Sequence, residues 1–153
     1  MLNASRLVKE LIEDNWNSAN TGSRTPEFSE YKDKKRPDSY NRTDVVYTYN
    51  RVSDESPTAV GNVARKVVNR VSVDLRTSES DDQANLMEKE IKRIIRNNVN
   101  YLVPEGVSHS TVGQQVVIEI TGTTPFSNTT DSNYVHNYKR VIEVNLTSHM
   151  ELV

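Results

Sequence analysis

The chain contains three histidines, His109, His136 and His149, and each falls in or near a loop-like stretch or a chain end. No two of them have the spacing that sets imidazoles on one turn of a helix, and no H-E-x-x-H frame is present. The carboxylates raise a second possibility. Asp74, Glu119 and Glu143 fall on three strand-like segments. Three carboxylates brought together would suit a hard divalent cation, as in a metal-dependent nuclease. Against this, they alternate with arginines and other polar residues as an open sheet face would, not as the lining of a pocket. There is no glycine-rich phosphate loop and no G-x-S-x-G elbow. Two basic clusters, Lys32 to Arg36 and Lys92 to Arg96, have the charge to touch phosphates. Such runs are also ordinary on solvated loops and helix ends. No catalytic, cofactor-binding or metal-binding residues are assigned, and the expectation is a protein that is not an enzyme and uses no cofactor.

Composition narrows the classes further. The chain has 153 residues, enough for a single domain, 1–153, with one core. Only 35% of residues are hydrophobic and 26% are charged, an apolar-poor balance for an independent globule. A flat subunit that completes its burial against copies of itself would have this composition, as would a partly disordered chain. The net charge of −2 gives no general attraction to DNA or anionic membrane. Cysteine is absent, which excludes disulfides and thiolate metal sites. No apolar run approaches the roughly 20 residues of a membrane helix. The opening MLNASRLVKELIEDNW is amphipathic, unlike a signal peptide.

The stretch from Val63 to Val99 organises the rest. Val63, Val67, Val71, Val73 and Leu75 share one parity, while Lys66, Arg70, Ser72, Asp74 and Arg76 take the other. That pattern predicts a long strand with one apolar face. A helix follows. Ser80 and Gln83 fit a capping box, Asp81 and Asp82 suit the positive end of the dipole, and Lys92, Arg93 and Arg96 suit the negative end. Ala84, Met87, Ile91, Ile94 and Ile95 form its apolar stripe.

Another helix is expected from Asn3, as N-cap, to about Asn15, with Ala4, Leu7, Val8, Leu11 and Ile12 on its apolar side and Trp16 extending it. A long polar loop, 17–44, then carries Pro26 and Pro37. Phe28, Tyr31 and Tyr40 are its candidate anchors, onto the sheet or onto a neighbouring subunit. Strands are expected at Asp44 to Val52, Gln114 to Gly122 and about Tyr134 to Ser148. Tyr101, Leu102 and Val103 should tuck under the end of the second helix. A polar hairpin loop, 123–133, holds one aromatic, Phe126. The order α-β-β-α-β-β predicts an α+β fold: a four-stranded, mostly antiparallel or mixed sheet with both helices on one face.

The opposite face of that sheet would carry Lys66, Arg70, Asp74, Arg76, Gln115, Glu119, Glu143 and Asn145, with Val68, Val117 and Val141 among them. It is either a solvated face or a subunit interface. The candidate interface residues are Arg70, Asp74, Arg76, Glu119, Glu143, Phe126, Phe28 and Tyr31.

The layout of DVVYTY, of RVSVDLRTSESDDQANLMEKEIKRII and of the closing KRVIEVNLTSHMEL resembles the tail terminator and tail-completion proteins of long-tailed phages and archaeal tailed viruses. The resemblance covers nearly the whole chain without a diagnostic motif, and it extends to head-tail connector (adaptor or stopper) proteins of the neck. The 17–44 loop is longer than the family leads one to expect, and Asn69 and Arg140 fall at inward positions of core strands. The resemblance implies a structural virion protein, made in the host cytoplasm and placed at the tail-neck junction. It implies a homo-oligomeric, hexameric ring that caps the tail tube and meets a neck or head-completion protein. DNA would pass through its lumen without specific recognition, and no membrane would be involved. A small nucleic-acid-binding module is the further alternative.

Overall fold

The computed structural model describes residues 3–30, 44–57, 64–102, 115–125, 129–130 and 136–151. The fold is α+β, with both helices packed on one face of a mixed, curled sheet. The first helix, α1, spans Ala4–Asn15, and the Asn3 side chain caps it by accepting from the Arg6 N–H. A single 3-10 turn, Ser18–Thr21, follows. Strand β1 is Glu27–Glu30, β2 is Val45–Pro57 and β3 is Ala64–Thr77. Helix α2 spans Asp81–Asn97. Strands β4 (Asn100–Leu102), β5 (Gln115–Pro125), β6 (Thr129–Thr130) and β7 (His136–Glu151) complete the described elements.

Six strands lie in the order β1-β2-β3-β7-β5-β4, and the two-residue β6 pairs with β7. All pairings are antiparallel except β1 with β2, which is parallel. The expected four strands are therefore the central ones, β2, β3, β7 and β5, and two short edge strands extend the sheet beyond them. β1 arises inside the supposed 17–44 loop. It is polar and four residues long, so alternation alone does not reveal it. β4 lies in the connector after α2, where Tyr101 packs against the core but Leu102 is 63% exposed. The expectation that Leu102 tucks under the helix is thus corrected: Tyr101 takes the inward parity of β4, and its neighbour points away. The supposed 123–133 loop likewise contains the end of β5 and all of β6.

One core lies between the helices and the sheet. Leu7, Val8, Leu11 and Ile12 of α1 meet Met87, Ile91, Ile94 and Ile95 of α2 over Val71, Val73, Leu75, Ile118, Ile142, Val144 and Leu146. Burying one such aliphatic side chain stabilises by about 1.5–3 kcal/mol, so this layer dominates the fold. Hydrogen bonds set the seat of α1. The Ser5 N–H donates to Asn50 Oδ1 (3.0 Å), Thr48 Oγ1 donates to the Ser5 carbonyl (2.7 Å), and Ser5 Oγ donates to Glu30 Oε1 (2.9 Å). An otherwise orphan N–H of the first helical turn is thereby satisfied by β2.

The inward arginine is accounted for. Arg140 is buried on β7 and donates to Asp81 and to Asn85 Oδ1, both at the start of α2. The capping box is only half formed. Ser80 Oγ accepts from the Gln83 N–H (3.0 Å), but the Gln83 side chain turns into the molecule instead of back to the cap.

Candidate assembly surface

Two buried carboxylates fasten the segment after α1 to α2. Asp44 accepts from Arg24 Nε and Nη2 (each 3.0 Å), Thr77 Oγ1 (2.7 Å) and Gln83 Nε2 (3.0 Å). Gln83 Nε2 also reaches the Thr21 carbonyl at 3.1 Å. Burial alone would raise the Asp44 carboxyl; donation by Arg24, Thr77 and Gln83 outweighs it and holds the group below the usual range. Glu90 repeats the arrangement. It accepts from the Asn17 N–H (2.7 Å), Asn20 Nδ2 (3.0 Å) and Arg93. Here too, burial raises and the donors, Arg93 first, lower more strongly, so the carboxyl ionises below its ordinary value. Both groups are saturated with donors from their own chain. They shape the molecule and leave little acceptor capacity for a ligand.

Between these anchors the backbone reverses at Gly22 and Ser23, with φ of +66° and +63°. Glycine takes such a conformation freely and serine only at a cost. Trp16 donates from Nε1 to the Arg24 carbonyl (3.4 Å) and meets Phe28 edge-on, with ring centroids 5.5 Å apart. Phe28, proposed for an outside contact, is partly buried against the chain's own core.

The sheet face away from the helices has two zones. At one end lie Tyr47, Asp74 and Val141, neighbours across β2, β3 and β7, with Ser72 beside them. All four are buried, Asp74 to 2% exposure. Asp74 is paired with Arg76 (3.4 Å) and Lys139 (3.4 Å), and the Arg76 guanidinium lies 5.5 Å from the centre of the Tyr47 ring. Of the two alternatives for this face, a solvated one does not hold at this end. Register shifts between Asn50 and Val52 and between Ile120 and Gly122 accompany a curled sheet, and bulges of this kind bend a sheet and strengthen its twist. Period-two patterning carries no sign of that curl.

The other end is open. One cross-strand row holds Arg70 (β3), Asn145 (β7) and Glu119 (β5), and Arg70 and Glu119 are exposed. The next row holds Val68, Thr147 and Val117, each half-buried. Glu143 lies between the zones, accepting from Ser72 Oγ (2.8 Å) and Arg51 Nη1 (3.0 Å). The three carboxylates considered for a metal thus occupy three different rows, two of them neutralised by cations of the same chain. Among the described residues no group of three or more His, Asp or Glu side chains is placed to hold a metal ion. Arg70, Asp74, Arg76, Glu119 and Glu143 do share one face, while Phe126 and Tyr31 lie outside the described residues.

The basic stretch of α2 is largely committed as well. Arg93 binds Glu90 and the Asn15 carbonyl (3.0 Å), and Lys92 lies 3.7 Å from Glu88. The Lys32 to Arg36 cluster is outside the described residues. No described helix is long and apolar enough to cross a membrane. No protein-family model matches the chain, and no curated protein matches its sequence.

Sequence reasoning missed Glu90 and Asp44 as structural hubs. A signal for Glu90 existed: it continues the spacing of Gln83, Met87 and Ile94 along the buried side of α2, where an unpaired acid would not be tolerated.

Proposed function

We propose that this chain is a structural virion protein, the subunit of a tail terminator or tail-completion ring that caps a tail tube and joins it to the neck. One observation carries the reading: among the described residues the helices pack on one face of the sheet, one end of the other face holds the exposed Arg70 and Glu119, and the two edge strands are unlike. A ring repeats one head-to-tail contact, so its subunit must present two different surfaces. The β1 edge carries Glu27 and Glu30; the β4 edge carries Leu102, with the exposed Val99 before it. Such edges invite pairing or cover. Asp44 and Glu90, filled with donors from their own chain, fit a role that works by shape.

Native mass spectrometry of the pure protein, alone and mixed with a tail-tube protein, tests this reading. A ring, hexameric in the simplest case, is expected alone or on the tube. A chain that stays monomeric and ignores the tube protein contradicts it. A head-tail connector role would instead show as binding to the neck or portal side with no effect on tube growth.

A further inference from the structure

Residues 17–30 run from the end of α1 to the edge of β2, and they are held differently from the rest of the fold. The apolar core takes no fully buried side chain from this stretch. Phe28 packs against the core partly buried, and Thr21 and Pro26 are the buried residues of the stretch. The other described ties are polar. At one end the Asn17 N–H and Asn20 Nδ2 donate to Glu90 on α2. In the middle Gln83 Nε2 donates to the Thr21 carbonyl, and Trp16 Nε1 to the Arg24 carbonyl. Toward the other end Arg24 donates twice to Asp44 and once to Glu79, and the Glu27 N–H donates to the Asp44 carbonyl at 2.8 Å. Ser5 Oγ donates to Glu30, and β1 adds four residues of parallel pairing along β2. Hydration offsets the release of hydrogen bonds to carboxylates and strand edges, whereas nothing offsets exposure of the aliphatic core. Bonds inside the stretch make it one body: the Ser23 N–H donates to the Ser18 carbonyl (2.8 Å) and Thr21 Oγ1 to the Arg24 carbonyl (2.7 Å). Helix α1 has its own seat, because Leu7, Val8, Leu11 and Ile12 lie in the core and both backbone groups of Ser5 bond to β2.

We propose that residues 17–30 form a strap that lifts off as one body while α1, α2 and the four central strands stay folded, and that this strap gates the edge of β2. With the strap away, residues 45–48 lose their β1 partners, and β2 presents a strand edge open to new pairing. Local openings of this kind begin in segments that bury few apolar contacts. The opening stands on how the strap is held, whether or not the chain caps a tube.

The test is native-state hydrogen exchange, read by NMR at urea concentrations below the unfolding transition, on the wild type, Arg24→Ala and Arg24→Lys. The amides of Asn17 and Glu27 are the reporters, because Glu90 on α2 holds one and the Asp44 carbonyl holds the other. A single opening should give both amides the same opening constant, at least about tenfold above that of the amides in the middle of β3 and β7. Arg24→Ala cuts the tie to Asp44 and should speed exchange about tenfold at Glu27 and, through the strap, equally at Asn17, with β3 and β7 unchanged. Arg24→Lys keeps the charge but not the two-pronged donation, and should give a smaller rise at both amides. Reporters as protected as β3 and β7 in the wild type would overturn the proposal. So would a rise confined to Glu27, which would make the two ties independent, or a rise shared by the whole chain.

Discussion

Glu90 and Asn17 lie 73 positions apart in the chain, and the Asn17 N–H donates to Glu90 Oε2 at 2.7 Å. This contact, with Asn20 and Arg93 on the same carboxylate, ties the exit of α1 to the buried side of α2. Glu90 is 1% exposed, so removing it takes from three sets of donors the one buried acceptor they share. We expect Glu90→Ala to destabilise the fold by about 2–4 kcal/mol. Arg93→Ala should cost less, because Glu90 keeps its Asn17 and Asn20 donors and the arginine side chain is 41% exposed. Urea unfolding followed by the fluorescence of the single tryptophan, Trp16, measures both; equal losses would contradict this ranking.

Acid should act through the same two hubs. Asp44 and Glu90 both ionise below their ordinary values of 3.8 and 4.5. An unfolded chain therefore takes up their protons first as pH falls. Their stabilisation is complete above the ordinary values and is lost as pH drops through the lower folded ones. The variant D44N/E90Q is expected to be less stable at neutral pH and to lose less on going from about pH 5 to about pH 3. Parallel stability profiles for the variant and the wild type would show that other carboxylates dominate.

Gly22 turns the chain out of the 3-10 turn with φ +66°, and a Cβ there would meet Gln83 Oε1 no closer than 3.6 Å. Space is adequate, so any cost comes from the backbone. Gly22→Ala should lower stability by about 1 kcal/mol, and Gly22→Asn by less, since asparagine tolerates the left-handed region better. The order of the two unfolding midpoints decides it.

Arg140 occupies an inward-facing position of β7, and its guanidinium bonds Asp81 and Asn85 at the start of α2. Arg140→Ala leaves a gap and two bereft acceptors, with an expected loss of about 1–3 kcal/mol. Helical hydrogen exchange should rise first at the beginning of α2. A uniform rise over both helices would contradict the local role.

The parts of this fold that repeat regularly were legible in the residues. Asn3 and Ser80 mark both helix starts, and the odd-numbered valines of β3 mark the core side of the sheet. The parts decided by long-range polar contacts were not. Gln83 looks like half of a capping box, yet its side chain serves Asp44 and Thr21, residues distant in sequence. Glu27 to Glu30 has no apolar alternation and becomes a strand because it lies beside Val45 to Thr48. Asp74 reads as an exposed charge, but it is buried and paired with Arg76 and Lys139. On the candidate surface, Arg70 and Glu119 could be assigned to one face from parity. That they share a row around Asn145 follows only from the register of β3 and β5 on β7.

As a tail terminator, the role proposed above, the chain would sit at the end of a polymer. The most direct measurement is electron microscopy of tail-tube protein assembled with a gold-tagged form of this chain. The proposed role requires gold at one end of each tube and tubes that no longer lengthen there. Gold spread along the walls, or bare tubes that keep growing at both ends, would contradict it.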